Sequence, residues 1–583
     1  MPTINGTAND DVLIGTVDHD DIHGLGGNDV IDGGGGGDDM YGGEGDDIYV
    51  VRHLNDFIVE FNNQGADIVY SAISYSMGVF SNARSIEVLS TIQHNDTTPI
   101  NLTSFADTHT IIGNYGNNIL AGASSFYYGL LGDDTFFVGP GSSLQIIENE
   151  GEGNDTASVS GSGMYTLNAG ASVETITARD VDGTQGVWLV GNELTQTIIG
   201  NKGDNSLDGG SGGNDILIGG DGNDTYHMHR TGPQIVETAG GGVADSVVAY
   251  VDFVLAPAAN IEFLIAAPGT APISLVGNEQ ANRVVGNDGN NVIDGGAGAD
   301  DLLQGNFGDD TYRVRNPGDF VQEFAGRGTD IIYVHFSYVL PTTEEIENLS
   351  AADHIGTESL NFSGNNLDNL IIGNYGANQL DGGFGGNDTL YGLAGNDTYI
   401  IRNAGDQAVE QVGHGSDTVY AYASFALGAG SEVEVLSTVS HAATDAINLT
   451  GNEFAQTVVG NSGANLLDGK GGNDLLAGLG GADTFAFTSA LGAGNVDSIF
   501  DFSAADDTIA LDDAVFTGLT PGALPMGAFV TGPAAQDLDD RIIYNQATGQ
   551  LFYDADGSGA GAAVHFATLS GTPILTAADF MVI

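Results

Sequence analysis

The sequence predicts an all-β fold: a parallel β-solenoid, or β-roll, built from six repeats of about 87 residues and ended by a C-terminal β cap. Three observations lead to it. Residues 6–50 hold a nine-residue register without a slip. Blocks of the same kind return along the chain every 86 to 90 residues. The chain carries 90 glycines, and each Gly inside a helix costs about 1 kcal/mol relative to Ala, so long helices are disfavoured where these residues cluster.

The first block reads GTANDDVLI, GTVDHDDIH, GLGGNDVID, GGGGGDDMY and GGEGDDIYV. Asp holds the sixth place of each piece (Asp11, Asp20, Asp29, Asp38, Asp47), and Leu13, Ile22, Ile31, Met40 and Tyr49 hold the eighth. A Gly-rich hexad can turn sharply because Gly tolerates positive φ. The triplet that follows is a minimal strand with its middle side chain facing inward. Turn and strand in alternation make a coil of two pieces. Asp11, Asp29 and Asp47 then line one edge, with Asp20 and Asp38 on the other. Stacked carboxylates repel unless a cation lies between them. Carboxylate and turn carbonyl oxygens are hard ligands that suit Ca²⁺, whereas Mg²⁺ tends to keep several waters.

These pieces resemble the RTX nonapeptide G-G-x-G-x-D-x-U-x, a calcium-binding β-helix repeat. The resemblance extends over essentially the whole chain and is most specific in the Gly/Asp blocks. It implies a protein that binds several Ca²⁺ ions, leaves the cell unfolded through a type I secretion apparatus, and folds outside, where calcium is plentiful. It places the protein in the extracellular space or on the cell surface.

Composition agrees with an acidic, folded chain. Acidic residues number 78 against 12 basic ones, for a formal charge of −66, and 41% of residues are hydrophobic. There is enough apolar side chain for a core, and the charge argues against nucleic acid or an anionic membrane as the main partner. The chain has no Cys, which excludes thiolate metal sites and disulfides. The N-terminus lacks a signal-peptide pattern, and no apolar stretch is long enough for a transmembrane helix.

Taken in order, the chain divides at 1–50, 51–137, 138–227, 228–313, 314–400, 401–486 and 487–583. A D-[IT]-[YF] signature marks the end of each block, at Asp47, Asp134, Asp224, Asp310, Asp397 and Asp483. Within later blocks the sixth place changes from amide to acid: Gln196, Asn205, Asp215, Asp224; Asn282, Asn291, Asp300, Asp310; Asn369, Asn378, Asp388, Asp397; Gln456, Asn465, Asp474, Asp483. In the fourth block this reading places one extra residue, Gln304, after the Asp300 piece. Asn supports turns by bonding local backbone, so calcium is expected mainly at the Asp end and most strongly over 11–47. The block around 113–137 has His109 and Asn118 in sixth places and only Asp134 as an acid. It is expected to bind calcium poorly, its Phe126, Tyr127, Tyr128, Phe136 and Phe137 serving either as extra core or as a contact surface or hinge.

Between blocks, acids recur at Glu60, Glu148, Glu237, Glu323 and Glu410, then at Asp67, Asp155, Asp245, Asp330 and Asp417, then at Glu87, Glu174, Glu262, Glu347 and Glu434. Two readings are open: further calcium ligands, or turn caps. Alternating stretches such as Thr418–Tyr422 read as strands of the same solenoid. The end of the chain, with its short apolar run Phe580–Ile583, resembles the export-signal region of RTX proteins.

Other motifs carry less. Gly209–Gly213 matches a nucleophile elbow but lies in a glycine turn. Asp554 and Asp556 open like an EF-hand loop, yet His565 stands where its Glu belongs. His227 and His229 alternate on a strand with no third ligand at metal spacing. No catalytic constellation is readable, so the expectation is a non-enzymatic structural or interaction protein: a surface layer, biofilm-matrix component or adhesin, self-assembling or binding a surface glycan. An extracellular polysaccharide lyase or epimerase is the alternative, though the ten Arg and two Lys (Lys202, Lys470) are scattered. A soluble calcium-binding effector is the third reading.

Overall fold

A computed structural model describes residues 1–61, 64–77, 86–104, 109–237, 240–298 and 300–583. Among these residues the structure is almost wholly β, with two single-turn helices at Met526–Ala528 and Ala577–Asp579. No helix among them is long and apolar enough to cross a membrane. Two compact units form: Met1–Gly269 with Ile273–Asn287 and Gly296–Gly298, and Thr270–Pro272 with Asp288–Gly295 and Ala299–Ile583.

In the first unit strands pair with the next but one, except where a sheet ends. Thr3–Asn5 pairs in parallel with Asp21–Gly26, that strand with Asp39–Glu44, and that in turn with Phe57–Val59. The intervening strands Val12–Ile14, Val30–Asp32, Ile48–Val51 and Asp67–Ser71 form a second parallel ladder. Partners in the first coils lie 18 residues apart, as in Ile4 with Ile22 and Ile22 with Met40, so two nonapeptides make one coil. The middle residue of each triplet faces inward: Ile22, Met40 and Ile58 are buried one above another on one face, and Ile31 and Tyr49 on the other. Parallel sheets require burial on the inner face, and a single apolar column per strand supplies it here.

The ladders are interrupted at regular places. The sheet containing Phe57–Val59 ends there, and Tyr75–Met77 opens the next sheet of that face. The opposite face ends a sheet at Gln145–Ile147 and restarts at Met164–Thr166; the first face ends again at Gln234–Val236 and restarts at Phe253–Val254. Nine strands separate successive interruptions. Because that number is odd, the interruption changes face each time. At each one the other face runs through unbroken, as from Ile48–Val51 through Asp67–Ser71 to Ile86–Thr91.

The second unit repeats the design. Thr311–Val314, Ile331–Val334, Asn348–Ala351, Leu370–Ile372, Thr389–Leu393 and Gln407–Glu410 form one parallel ladder. Its faces are interrupted after Phe320–Gln322 and after Gln407–Glu410. The pairing then changes sign. Val564–Leu569 continues the parallel ladder beside Asp497–Ile499, while Gln550–Tyr553 and Ile542–Asn545 follow it as an antiparallel meander. Phe580–Val582 lies parallel to Thr508–Leu511 and antiparallel to Gly522–Ala523. Phe487, Phe516, Tyr553 and Phe566 pack edge to face beneath these strands.

Each inward side chain is a full layer of the core, so deleting one leaves a cavity between two coils. Leu189→Ala, at a fully buried position, is expected to cost about 2–5 kcal/mol in urea denaturation of the calcium-loaded chain. A loss below about 1 kcal/mol would mean that the coils do not depend on this column.

Candidate metal centres

The sixth-place carboxylates perform a backbone task that fixes the coil. The Asp11 amide donates to Asp29 Oδ1 at 2.8 Å, and the Asp29 amide to Asp47 Oδ1 at 2.7 Å. On the other edge the Asp20 amide donates to Asp38 Oδ1 at 2.8 Å, and the Asp38 amide to Asp56 Oδ1 at 3.1 Å. These are the two edges expected from the register. The first carboxylate of each edge bonds locally: Asp11 Oδ2 accepts from the Thr7 amide and hydroxyl, and Asp20 Oδ2 from those of Thr16. In the stacked members the second oxygen has no hydrogen-bond partner: Oδ2 of Asp29, Asp38 and Asp47 is buried and unpaired.

Later blocks keep the same ladder. Asp134, Asp215, Asp224, Asp310, Asp388, Asp397, Asp474 and Asp483 each accept the amide of the residue one coil earlier, at 2.6–2.8 Å. The amide sixth places satisfy themselves. Asn118 donates its Nδ2 to Asn114 Oδ1 and accepts the Asn114 amide, and Asn378 does the same with Asn374. An amide offers a donor and an acceptor within one turn, whereas a carboxylate offers two acceptors. Acid turns such as those of Asp29, Asp38 and Asp47 therefore leave an oxygen without a hydrogen-bond partner.

Two positions differ from the simple register. Asp300 is exposed, with φ of 65°, and does not hold the ladder position. The buried carboxylate of that coil is Asp301, whose own amide donates to Asp319 Oδ1. The extra residue lies in the turn, as it does before Asp215 and Asp388, and not at Gln304. Asp215 Oδ2 is met by Arg230 Nη2 at 2.5 Å. Arg52, Arg315 and Arg402 each stand three residues after the block tyrosine and pair with Asp32, Asp294 and Asp381; His229 holds that place here and pairs with Asp208, Arg230 is the next residue, and Asp56, Asp319 and Asp406 stand where this repeat has Pro233. One coil thus carries a guanidinium in place of a second acid. The alternating histidines are also occupied: His227 Nε2 lies 3.0 Å from Ser206 Oγ, and His229 Nε2 lies 3.0 Å from Asp208 Oδ2.

The acids between blocks converge on the ends of the blocks. Five groups form among the described residues: Asp47, Glu60, Asp67; Asp134, Glu148, Asp155; Asp224, Glu237, Asp245; Asp310, Glu323, Asp330; Asp397, Glu410, Asp417. In each group one oxygen per residue lies within 4.8 Å of the others. Of the two sequence readings of these acids, the hydrogen bonds show the turn cap, and the positions bring the same carboxylates together as a group that could hold a metal ion. Asp67 Oδ1 caps the Asp47 amide at 2.8 Å and Glu87 Oε2 caps the Asp67 amide at 2.6 Å, while Oδ2 of Asp67 and Oε2 of Glu60 stay buried and unpaired. Tyr49, Tyr226, Tyr312 and Tyr399 donate their hydroxyls to Glu60, Glu237, Glu323 and Glu410. Phe136 stands at the matching place in the second group, where the Gly129 amide donates to Glu148 Oε1 at 2.6 Å. The block expected to be poor in ligands therefore contributes one of the five groups.

A glycine makes room for each carboxylate. A Cβ on Gly42 would overlap Asp47 Oδ2 and the Tyr49 hydroxyl, and one on Gly305 would overlap Asp310 Oδ2. Burial raises the acids strongly. Desolvation, with mutual repulsion added, pushes Asp47 and Asp67 up to about 6 and Glu60 up to about 8. Asp134 and Asp155 rise to about 7 and Glu148 to about 9, again by desolvation first. Asp330 and Glu410 reach about 8 for the same reason. Buried acids of this kind are held either by protons or by a cation. Their all-oxygen donor set fits Ca²⁺.

Fold and donor set together define a metal-binding parallel β-solenoid. The family model of the RTX calcium-binding nonapeptide repeat, four copies long, matches residues 3–31, 14–49, 190–226, 276–312, 363–399 and 450–485. The Gly/Asp blocks thus match the RTX calcium-binding nonapeptide repeat in several copies, and the β-solenoid is consistent with an RTX repeat protein. No curated protein matches it.

Two outcomes follow from this geometry. Asp29→Asn with Asp47→Asn is expected to raise the calcium midpoint for folding by about tenfold, equivalent to roughly 1.4 kcal/mol of binding; an unmoved circular-dichroism midpoint would refute the role of this edge. The pH dependence has a definite sign. The raised acids hold protons in the metal-free folded state that the unfolded chain releases near its ordinary carboxylate range, around pH 4. In chelator, stability should therefore be fullest below about pH 4 and fall as pH rises toward about 8, while the calcium-loaded chain keeps its stability. Denaturant titrations at both ends of that window check it, and a metal-free chain that gains stability on the way up would contradict it.

Proposed function

We propose that this protein is a secreted solenoid that folds on binding calcium outside the cell and serves a structural or interaction role, as part of a surface layer, a biofilm matrix or an adhesin. One observation carries the reading: buried carboxylate oxygens without partners recur along the edges of the solenoid in repeat after repeat. Ionised and metal-free, such a stack repels itself. With calcium, binding energy becomes folding energy, because the unfolded chain does not present the stacked donors. The charge of −66 supports the same scheme, since it opposes compaction in a low-calcium compartment. The RTX repeats support export by a type I apparatus, and the last strand supports its timing. Phe580 and Val582 are buried, so a signal at that end is readable only before this region folds.

A second reading has one place in its favour. Arg313, Arg315, Tyr333 and His335 line a cleft of about 310 Å³ on an otherwise acidic protein. That set of side chains suits an acidic sugar, and would serve an enzyme or a binding protein of uronate polymers. Incubation with such polymers, with Arg313→Ala as the comparison, separates this reading from the first.

Electron microscopy in chelator and then in millimolar-range calcium tests the leading proposal. Lattices, sheets or filaments that form only with calcium are the expected result. Particles of the same form under both conditions would contradict calcium-dependent folding. Deleting the residues after Ala577 is expected to abolish export by a type I apparatus, and normal secretion of the truncated chain would refute the signal.

A further inference from the structure

We infer that the five Asp-Glu-Asp groups are a second class of divalent-cation site, formed mostly outside the nonapeptide repeats, and that each ion clamps the solenoid where one of its sheets is interrupted. The inference rests on the calcium-dependent folding proposed above and adds where the decisive ions sit.

The family matches stop at residues 49, 226, 312 and 399. They include the first Asp of four groups, but the Glu and second Asp of every group lie beyond them. The first group shows how the site is built. Tyr41 is in register with Val59, so Glu60 stands one coil after Gly42, the first glycine of the preceding nonapeptide. Glycine there leaves a space that Asp47 Oδ2 and the Tyr49 hydroxyl enter. In the next coil the position is a glutamate, and its carboxylate reaches into the same place. The register is the same for Glu148 over Gly129, Glu237 over Gly219 and Glu323 over Gly305.

A cation-directed reading has support beyond acidity. Asp47, Glu60 and Asp67 are fully buried, and each keeps one oxygen without a hydrogen-bond partner. Asp134, Glu148 and Asp155 do the same. Their other oxygens are engaged by backbone amides, and by the tyrosine in the case of Glu60. The carboxylates are thus oriented and not merely crowded together. Oxygens no more than 4.8 Å apart fit around a cation with Ca–O distances of about 2.4 Å, and an all-carboxylate donor set suits Ca²⁺. Where this fold does place a positive side chain on a ladder carboxylate, as Arg230 on Asp215, the acid is paired by protein.

The position of these groups gives the ion a mechanical task. At every one, a sheet ends at or beside the Glu: after Val59, Ile147, Val236 and Gln322, and at Glu410. One face of the coil loses its ladder there while the other continues. The Glu belongs to the end of the broken face and the second Asp to the start of the next strand on the unbroken one. An ion held by both joins the two faces across the turn. The last block departs from the pattern: Asp483 is followed by Phe485, and the Gly478 amide donates to Asp501 Oδ1 at 3.0 Å instead of to a Glu. No group of this kind is found there among the described residues.

The test uses the full-length chain with calcium and with Tb³⁺ as a luminescent substitute. Glu60→Gln/Asp67→Asn and Glu323→Gln/Asp330→Asn are each expected to lower the bound-ion count by about one per altered group, and to speed hydrogen exchange about tenfold in Phe57–Val59 or Phe320–Gln322. If these variants do not fold, Tyr49→Phe/Tyr226→Phe/Tyr312→Phe/Tyr399→Phe provides the readout. It should lose most of the tyrosine-sensitised Tb³⁺ emission while binding as many ions as the natural chain. Unchanged ion counts in the acid variants, or unchanged Tb³⁺ emission in the tyrosine variant, would overturn the clamp and leave calcium-dependent folding in place. A natural chain that gains no structure with calcium would overturn both.

Discussion

The structure depends on a carboxylate that works with both of its oxygens. One accepts the amide of the coil below and fixes the vertical register; the other is left inside the edge, facing its neighbours. A charged hydrogen bond of the first kind contributes about 1.5–3 kcal/mol. Two ionised carboxylates about 4 Å apart repel by about 4 kcal/mol at an effective dielectric near 20. The cap alone does not hold such a stack together. The same atoms that define the coil therefore demand a cation or a proton, and the solenoid is stable only as far as that demand is met.

The departures from the repeat show the constraint being met in different ways. Amide turns such as Asn118 and Asn378 close their own hydrogen bonds and need no ion. Asp215 is answered by Arg230, in the one matching turn where proline replaces the second acid. The ends of the blocks gather three acids, with a tyrosine or a backbone amide aligning the glutamate. Charge along the edge is thus graded, from neutral turns that open each later block to the carboxylate groups that close it.

The odd number of strands between interruptions has a consequence for the solenoid as a mechanical object. If the interruptions fell always on one face, that face would be systematically weaker. Because nine strands intervene, weak points alternate between the faces within each unit, and each is accompanied by an acid group. Local opening in proteins follows regions with few cross-strand bonds. Here those regions coincide with the densest buried charge, which couples local stability to the ion.

The sequence by itself determined the coil: the nine-residue register fixed turn, strand and inward side chain, and hence the two buried columns, Ile22 with Met40 and Ile31 with Tyr49, and the two Asp edges. It also showed the recurrent Glu and Asp between blocks, but not which of two tasks they perform. Residues 13 or 14 and then 20 or 21 positions beyond the last block Asp meet it only if the chain keeps its pitch through a sheet interruption, and no local pattern encodes that. The choice between Asp300 and Asp301 was hidden for a similar reason. An inserted residue can be assigned to the turn or to the strand end with equal regard for the glycine spacing, and only cross-coil hydrogen bonding decides. Arg230 stands one residue beyond the repeat position of Arg52, Arg315 and Arg402, which His229 holds here. His229 makes the ion pair of that position, with Asp208, while Arg230 meets Asp215, and that second contact is decided by the stacking of coils. Short-range chemistry set the repeat, and tertiary stacking decided which of its charges meet.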